Sequence, residues 1–453
     1  MSGSAGMVVV WGRRRLGKSR LLTEWCAKHN GTYLVADESS SAIQRQYLAT
    51  ELETVFAGIS SVVYPDWTTL LDRISSEASQ NKWKGPLVLD EFPYLVAQSP
   101  ELPSILQRWI DREKRNGGIV LALSGSSQRM MQSSILNSSA PLYGRANEIL
   151  RLEPILPGYI CKALSENASE SLLDFYTCWG GVPRYWELAV PFGVDYINAV
   201  DDLILSPLGV LHDEIDRLLR QEIPSAVPLR PILDAIGLGA NKSSEIAGRL
   251  QTSATSITHA LKQLQELGYI RREIPYGANE KNSKKSLYKL SDPFLRLWFR
   301  VVASHRGALQ SSSKAGRLKF LKNVWPQLQA EAWEDLCRQA VPFLSLHNQD
   351  WLPAARHWIS NGSEWDVVSV SQDSSAILLG ECKCLSKKTK QSDINKIIRT
   401  IMDKSIPALK GITKMQKEYM IFVPTTDTSN FSLPPNIHLV DGRKIFKALL
   451  QKS

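Results

Sequence analysis

The residues with the clearest chemistry lie near the start of the chain. Gly12-Arg-Arg-Arg-Leu-Gly-Lys-Ser19 has the form G-x-x-x-x-G-K-[ST], a loop whose backbone N–H groups turn toward phosphate at the mouth of a helix. Gly12 and Gly17 allow the turn, Lys18 reaches the β- and γ-phosphates, and the Ser19 hydroxyl ligates Mg²⁺. Arg20, next on the helix, joins this ATP-binding set. A second element is Pro86-Leu-Val-Leu-Asp90-Glu91, an apolar strand ending in two carboxylates. Asp90 would hold Mg²⁺ through water, and Glu91 would take a proton from the attacking water as general base. An acidic pair at a strand end also serves as a loop cap, so the catalytic reading rests on its company with the phosphate loop. The run Ile119–Leu123 ends at Ser124-Gly-Ser126, where a hydroxyl could sense the γ-phosphate; turn chemistry accounts for it nearly as well.

A second constellation lies far downstream. Trp365–Val370 and Ile377–Cys382 are strand-like runs separated by a polar, hairpin-length loop. If Val370 pairs with Ile377, Asp366 faces Glu381 with Cβ atoms ~4.5–5.5 Å apart, and Lys383 projects from the same face. Two opposed carboxylates repel, so a divalent metal held by Asp366 and Glu381 is the natural resolution. Lys383 would then orient water or offset charge on a phosphate. The competing reading is a surface hairpin with an ion pair around Glu381 and Lys383.

Elements must carry these residues. From Met7 to about Leu152, short apolar runs (Met7–Trp11, Tyr33–Ala36, Leu87–Leu89, Ile119–Leu123, Glu148–Leu152) alternate with amphipathic stretches, the pattern of a parallel sheet with crossover helices. Residues 1–152 are therefore expected to form a P-loop core and 153–224 a helical segment. Residues 225–303 are expected to form a helix-turn-helix module and 304–453 an α/β domain. In the third segment Leu229–Leu238, Ser243–Leu250 and Thr255–Leu267 read as three helices. On the last, Ile257, Leu261, Leu264 and Leu267 form a buried stripe, and Ser256, Thr258, His259, Lys262 and Gln263 form a polar face able to meet phosphates or base edges. Arg271, Arg272, Lys281, Lys284, Lys285 and Lys289 flank a Tyr-Gly-Ala-Asn turn and suggest a basic β-wing. Between Arg271 and Phe320 there are 12 Lys/Arg and 3 Asp/Glu, which points to duplex DNA as partner.

Several motifs together resemble the archaeal-type P-loop ATPases, which are related to the AAA and STAND groups. They are GRRRLGKSR from Gly12, LVLDEFPYL from Leu87, PLYGR ending at Arg145, and GGVPRY from Gly180, which is similar to the Gly-x-Pro element of STAND ATPases. The resemblance implies a helical lid whose Pro183 lies toward the nucleotide, and it makes Arg145 a candidate charge sensor. The chain begins after the point where that family carries a Gly-Arg-x-x-Glu box beside the adenine. Residues up to Trp298 resemble a winged helix, and the Asp366…Glu381-x-Lys383 arrangement resembles the restriction-endonuclease-like (PD-(D/E)XK) fold. That second resemblance adds Glu334 from a preceding helix.

Composition sets the outer bounds. The chain has 453 residues, 43% hydrophobic and 22% charged, with a formal charge of +9, values that exclude a mostly disordered, collagen-like or polytopic membrane chain. Arg13–Arg15 follow rather than precede the apolar run Met7–Trp11, so no secretory signal is expected. Six scattered cysteines suit a reduced, cytoplasmic setting rather than a disulfide framework. No His-Glu-x-x-His helix or Gly-x-Ser-x-Gly elbow is present. The expectation is an ATP- and Mg²⁺-dependent switch on DNA, able to oligomerise, with a nuclease-like C-terminal domain. The alternative is a DNA-bound regulator or scaffold whose nuclease-like part is structural.

Overall fold

The computed structural model describes residues 6–450 apart from 117, 127–130, 132–134, 136, 223–228, 281–284, 345–348, 360–361, 410 and 429. The chain divides into two compact units, Met1–Glu153 and Pro154–Ser453.

The first unit is a three-layer α/β body. Strands β1 (Gly6–Trp11), β2 (Thr32–Val35), β3 (Leu87–Asp90), β4 (Val120–Gly125) and β5 (Ala146–Arg151) form one sheet in the order β2-β3-β4-β1-β5. Every pairing in it is parallel. Such strands are buried on both faces, which is why β1 reads as the unbroken run Met7–Val10. Its residues alternate between two cores: Met7 and Val9 join Leu89, Leu121 and Leu123 on one side, whereas Val8 and Val10 join Val88 and Ala122 on the other. Helix α1 (Lys18–His29) covers the second side with Leu22 and Cys26. Helices α2 (Trp67–Asn81), α3 (Phe92–Gln98) and α4 (Leu102–Asn116) serve the first, through Trp67, Leu70, Phe92, Leu106 and Trp109. Each large side chain buried here contributes about 1.5–3 kcal/mol. The Asp66 carboxylate caps α2 by accepting from Thr69 N at 2.8 Å, and Asn30, in the left-handed region, ends α1. Strand β5 departs from the apolar run expected there. Among the described residues it pairs only with β1, and it leaves Ile149 and Leu150 exposed.

The second unit is built on one continuous core that runs from Ile160 to Leu449. It includes α5 (Ser169–Trp179), α6 (Leu229–Gly237), α7 (Ser243–Arg249), α8 (Thr258–Glu266) and the antiparallel pair β6 (Ile270–Glu273) and β7 (Leu287–Leu290). The boundary expected at 303/304 falls inside a helical run from Pro293 to Ser311. Only Ser312 and Ser313 separate that run from α9 (Lys314–Ala340), which the Ser313 side chain caps. A mixed sheet follows in the order β12-β11-β10-β9-β8, made of β8 (Ala355–His357), β9 (Trp365–Val370), β10 (Ala376–Cys382), β11 (Gln416–Val423) and β12 (Ile437–Asp441). Helix α9 packs Trp333, Leu336 and Cys337 into the core shared with Val367, Leu378 and Phe422, and α10 (Gln391–Met402) presents Ile394, Ile397 and Ile401 to a separate apolar cluster with Val368 and Leu379. Among the described residues no helix is long and apolar enough to cross a membrane.

Candidate functional site

In a parallel sheet all the carboxyl ends lie on one edge, and here that edge gathers the first constellation. Gly12, immediately after β1, has φ 149°, and a Cβ there would meet Leu152 O at 2.7 Å, so only glycine fits. Gly17 caps α1 with φ 82°. Lys18 is buried, and its Nζ donates to the carbonyls of Gly12 (3.0 Å) and Arg13 (3.2 Å), folding the ammonium back over the loop. Ser19 Oγ donates to Asp90 Oδ2 at 2.7 Å, closing the gap between loop and β3. Arg20 points outward and pairs with Glu24 at 2.6 Å on the exposed face of α1.

Asp90 is nearly fully buried and accepts three hydrogen bonds. Ser19 Oγ and Tyr33 Oη (2.6 Å) donate to Oδ2, and Glu91 N (2.9 Å) donates to Oδ1. Burial, followed by the bond to Asp90, raises the Tyr33 phenol well above its ordinary range, so it acts as a donor. Tyr33 carries no motif signal. Strand alternation would have found it: Val35 is the register partner of Asp90, and Tyr33 shares its face. Glu91 caps α3 in the left-handed region (φ 52°), a conformation costing roughly 1 kcal/mol for a residue with a Cβ. Its Oε2 accepts from Ser126 Oγ (2.9 Å) and Ser126 N (3.2 Å). Ser124 Oγ, fully buried at the end of β4, has no hydrogen-bond partner among the described residues.

One residue of the nucleotide set within this unit, Arg145, is not brought to this edge. Met7 pairs with Ala146 and Trp11 with Arg151, so Arg145 lies at the opposite end of the sheet from Gly12, about six strand positions or roughly 20 Å away. There Arg145 meets Asp111 at 3.3 Å, and its carbonyl accepts from Lys114 Nζ at 2.9 Å. As folded, Arg145 stands away from the loop that its reading as a charge sensor would serve. Pro183 opens the helix Pro183–Ala189 in the second unit.

In the second unit Ser256, Thr258, His259 and Lys262 are exposed around α8, with Gln263 half-buried, while Ile257, Leu261 and Leu264 face inward. The basic surplus that followed them is largely cancelled in space. Arg271 holds Asp335 with both nitrogens (2.6 and 3.0 Å) and also faces Glu273, which Lys289 meets at 3.2 Å. Arg300 pairs with Glu331, Arg306 with Asp213 and Arg317 with Asp201. Arg296 and Arg338 complete a buried cluster on Asp335. Burial alone would raise that carboxyl; Arg271, Arg296 and Arg338 overcome it and hold Asp335 well below its ordinary range. Lys281 and Lys284 lie outside the described residues.

The hairpin register expected at β9–β10 is present from Ile377–Val370 to Gly380–Val367, and the ladder ends one position short of Asp366 and Glu381. Asp366 Oδ2 instead accepts from Cys382 N at 2.8 Å. Burial first, then Glu381 and Glu334, push the Asp366 carboxyl up to about 6. Glu334, on α9, pairs with Arg338 at 3.4 Å, and Arg338 also donates to Asp366 O at 3.0 Å. Glu381 is buried with a lysine on each oxygen: Lys383 on Oε1 at 2.7 Å and Lys404 on Oε2. Lys383 is therefore an ion-pair partner rather than a free ammonium. Burial alone would lower its pKa, and the bond to Glu381 raises it. The oxygen donors suit a hard divalent cation. As folded, though, Glu381 is occupied, and no group of three or more His, Cys, Asp or Glu among the described residues is set to hold a metal. Lys404, after α10, had no signal in the sequence.

Comparison with known proteins adds the following. A family described as archaea bacterial proteins of unknown function matches residues 298–397. An uncharacterised protein of Methanocaldococcus jannaschii is 26% identical over 424 residues, 93% of this chain and 91% of its own length. The solved Walker-type ATPase of Pyrococcus abyssi superposes with a TM-score of 0.51 at 17% identity, covering 66% of this chain and 91% of that one. At that identity the likeness concerns the fold alone: an α/β body whose five-stranded parallel sheet matches a P-loop ATPase domain.

Proposed function

We propose that the first unit binds ATP with Mg²⁺ and hydrolyses it, as a switch. The observation that carries this reading is the meeting of Lys18, Ser19, Asp90 and Glu91 at one sheet edge, bridged by the Ser19–Asp90 hydrogen bond. Lys18 would leave the Gly12 and Arg13 carbonyls for the β- and γ-phosphates. Ser19 and, through water, Asp90 would hold Mg²⁺, which supplies charge neutralisation between phosphate oxygens. Glu91 would take the proton of the attacking water, once Ser126 has released its Oε2. Ser124 Oγ, buried near the end of β4 without a partner among the described residues, is a further donor there. Lys18→Ala should weaken ATP binding at least 100-fold, about 2.7 kcal/mol. Glu91→Gln should bind ATP normally and release no phosphate. Equal ATP affinity in the wild type and Lys18→Ala would sink the reading.

For the second unit we propose a winged-helix docking site for DNA on the exposed face of α8, and a nuclease-like site at Asp366, Glu381 and Lys383, with Glu334 nearby. The support for the latter is the buried meeting of carboxylates and lysines at the end of one antiparallel pair. The competing reading, a DNA-bound regulator or scaffold, is favoured by the two lysines that already neutralise Glu381. Plasmid nicking with Mn²⁺, lost in Asp366→Ala, separates the two.

A further inference from the structure

We propose that Lys404 is a built-in counter-cation that occupies the Glu381 position a divalent metal would take, so that metal enters the C-terminal site only by displacing it. This rests on the nuclease-like reading of that site and concerns its regulation.

Lys404 is a held residue rather than a passing surface lysine. Its Nζ donates to Glu364 O at 2.6 Å and to Glu381 Oε2, and it lies 5.1 Å from the centre of the Trp365 ring. The side chain is only 17% exposed, which excludes most of the water that would otherwise compete for the ammonium. The next residue fastens the backbone: Trp365 Nε1 donates to Ser405 O at 3.0 Å, and Ser405 N donates to Ser363 Oγ at 2.8 Å. These bonds tie the segment after α10 to the start of β9, beside Asp366.

The charges explain why a lysine is there. Asp366 and Glu334 add further carboxylates beside the buried Glu381. Some cation must sit among them. Lys383 covers Glu381 Oε1, the neighbouring oxygen goes to Lys404, and Arg338 is shared between Glu334 and Asp335. A divalent ion joining Asp366 to Glu381 needs a free oxygen on Glu381, and Lys404 holds Oε2. Lys383 can stay in place on the other oxygen. Lys404 is thus the group whose departure opens the site.

The test is Mn²⁺ binding to the full chain, followed by the electron paramagnetic resonance signal of free Mn²⁺, which needs no catalytic activity. Lys404→Met keeps an apolar stem against Trp365 and removes the charge. It should bind Mn²⁺ at least tenfold more tightly than the wild type, and the added Asp366→Ala change should erase the gain. Lys404→Gln serves as the second variant, with thermal unfolding to verify that each protein folds. Equal affinity in wild type and both variants, still abolished by Asp366→Ala, overturns the plug and leaves the metal site standing. No Mn²⁺ uptake sensitive to Asp366 in any of them overturns both.

Discussion

At the scale of single residues, the phosphate-loop edge is organised around one buried carboxylate. Asp90 Oδ2 accepts from two hydroxyls, Ser19 and Tyr33, within 2.7 Å. When Ser19 turns to a metal ion, Tyr33 is the donor left to hold Asp90 in place. It is a positioning residue. Tyr33→Phe removes one hydrogen bond to a charged group, worth roughly 1.5–3 kcal/mol. The Mg²⁺ concentration for half-maximal ATP hydrolysis should rise about tenfold, with ATP turnover at saturating Mg²⁺ nearly unchanged. A fall in turnover with no change in Mg²⁺ dependence would assign Tyr33 a different role.

At the scale of elements, α9 joins the second unit together through Asp335. This carboxylate meets three guanidinium groups, from β6 (Arg271), the helix Pro293–Leu297 after β7 (Arg296) and α9 itself (Arg338). A buried charge is tolerable only while its partners remain, and removing the acid takes the shared carboxylate from three guanidinium groups, leaving them only Glu273, Glu331 and Glu334. Asp335→Ala should cost about 3–5 kcal/mol, seen as a lower urea midpoint with an unchanged m-value. Through Arg338 the same helix touches Asp366 and Glu334, so packing and the candidate C-terminal site share one element.

At the scale of the whole molecule, the local surplus of 12 Lys/Arg over 3 Asp/Glu between Arg271 and Phe320 overstates what a polyanion meets there. Much of the basic run from Arg271 onward is spent on carboxylates brought from elsewhere in the chain. DNA contact is then expected from α8 rather than from the arginines of β6. Lys262→Ala should reduce the slope of log affinity against log salt by about 0.9, the release of one counterion. Arg271→Ala should leave that slope alone and lower stability instead. A slope change of the same size in Arg271→Ala would show that this arginine meets phosphate.

What the sequence determined by itself is local. The phosphate loop is eight consecutive residues whose glycines, lysine and serine act through backbone geometry, so its form was legible before any fold. The apolar runs of the parallel sheet were legible for the same reason, because strands buried on both faces must be apolar throughout. The β9–β10 register followed from loop length and strand period. What only the tertiary structure decided is pairing across long separations. Arg145 stands in a motif, yet the parallel register of β5 carries it to the far end of the sheet. Tyr33 reaches Asp90 only because β2 lies beside β3, and Lys404 reaches Glu381 only because Trp365 and Ser363 anchor the chain after α10. Charge shows the limit most plainly: a count along the chain registers Arg271 and Arg296 as surplus, and folding sets both on Asp335. Coulomb energy depends on distance in space, and spacing along the chain reports that distance only within one element.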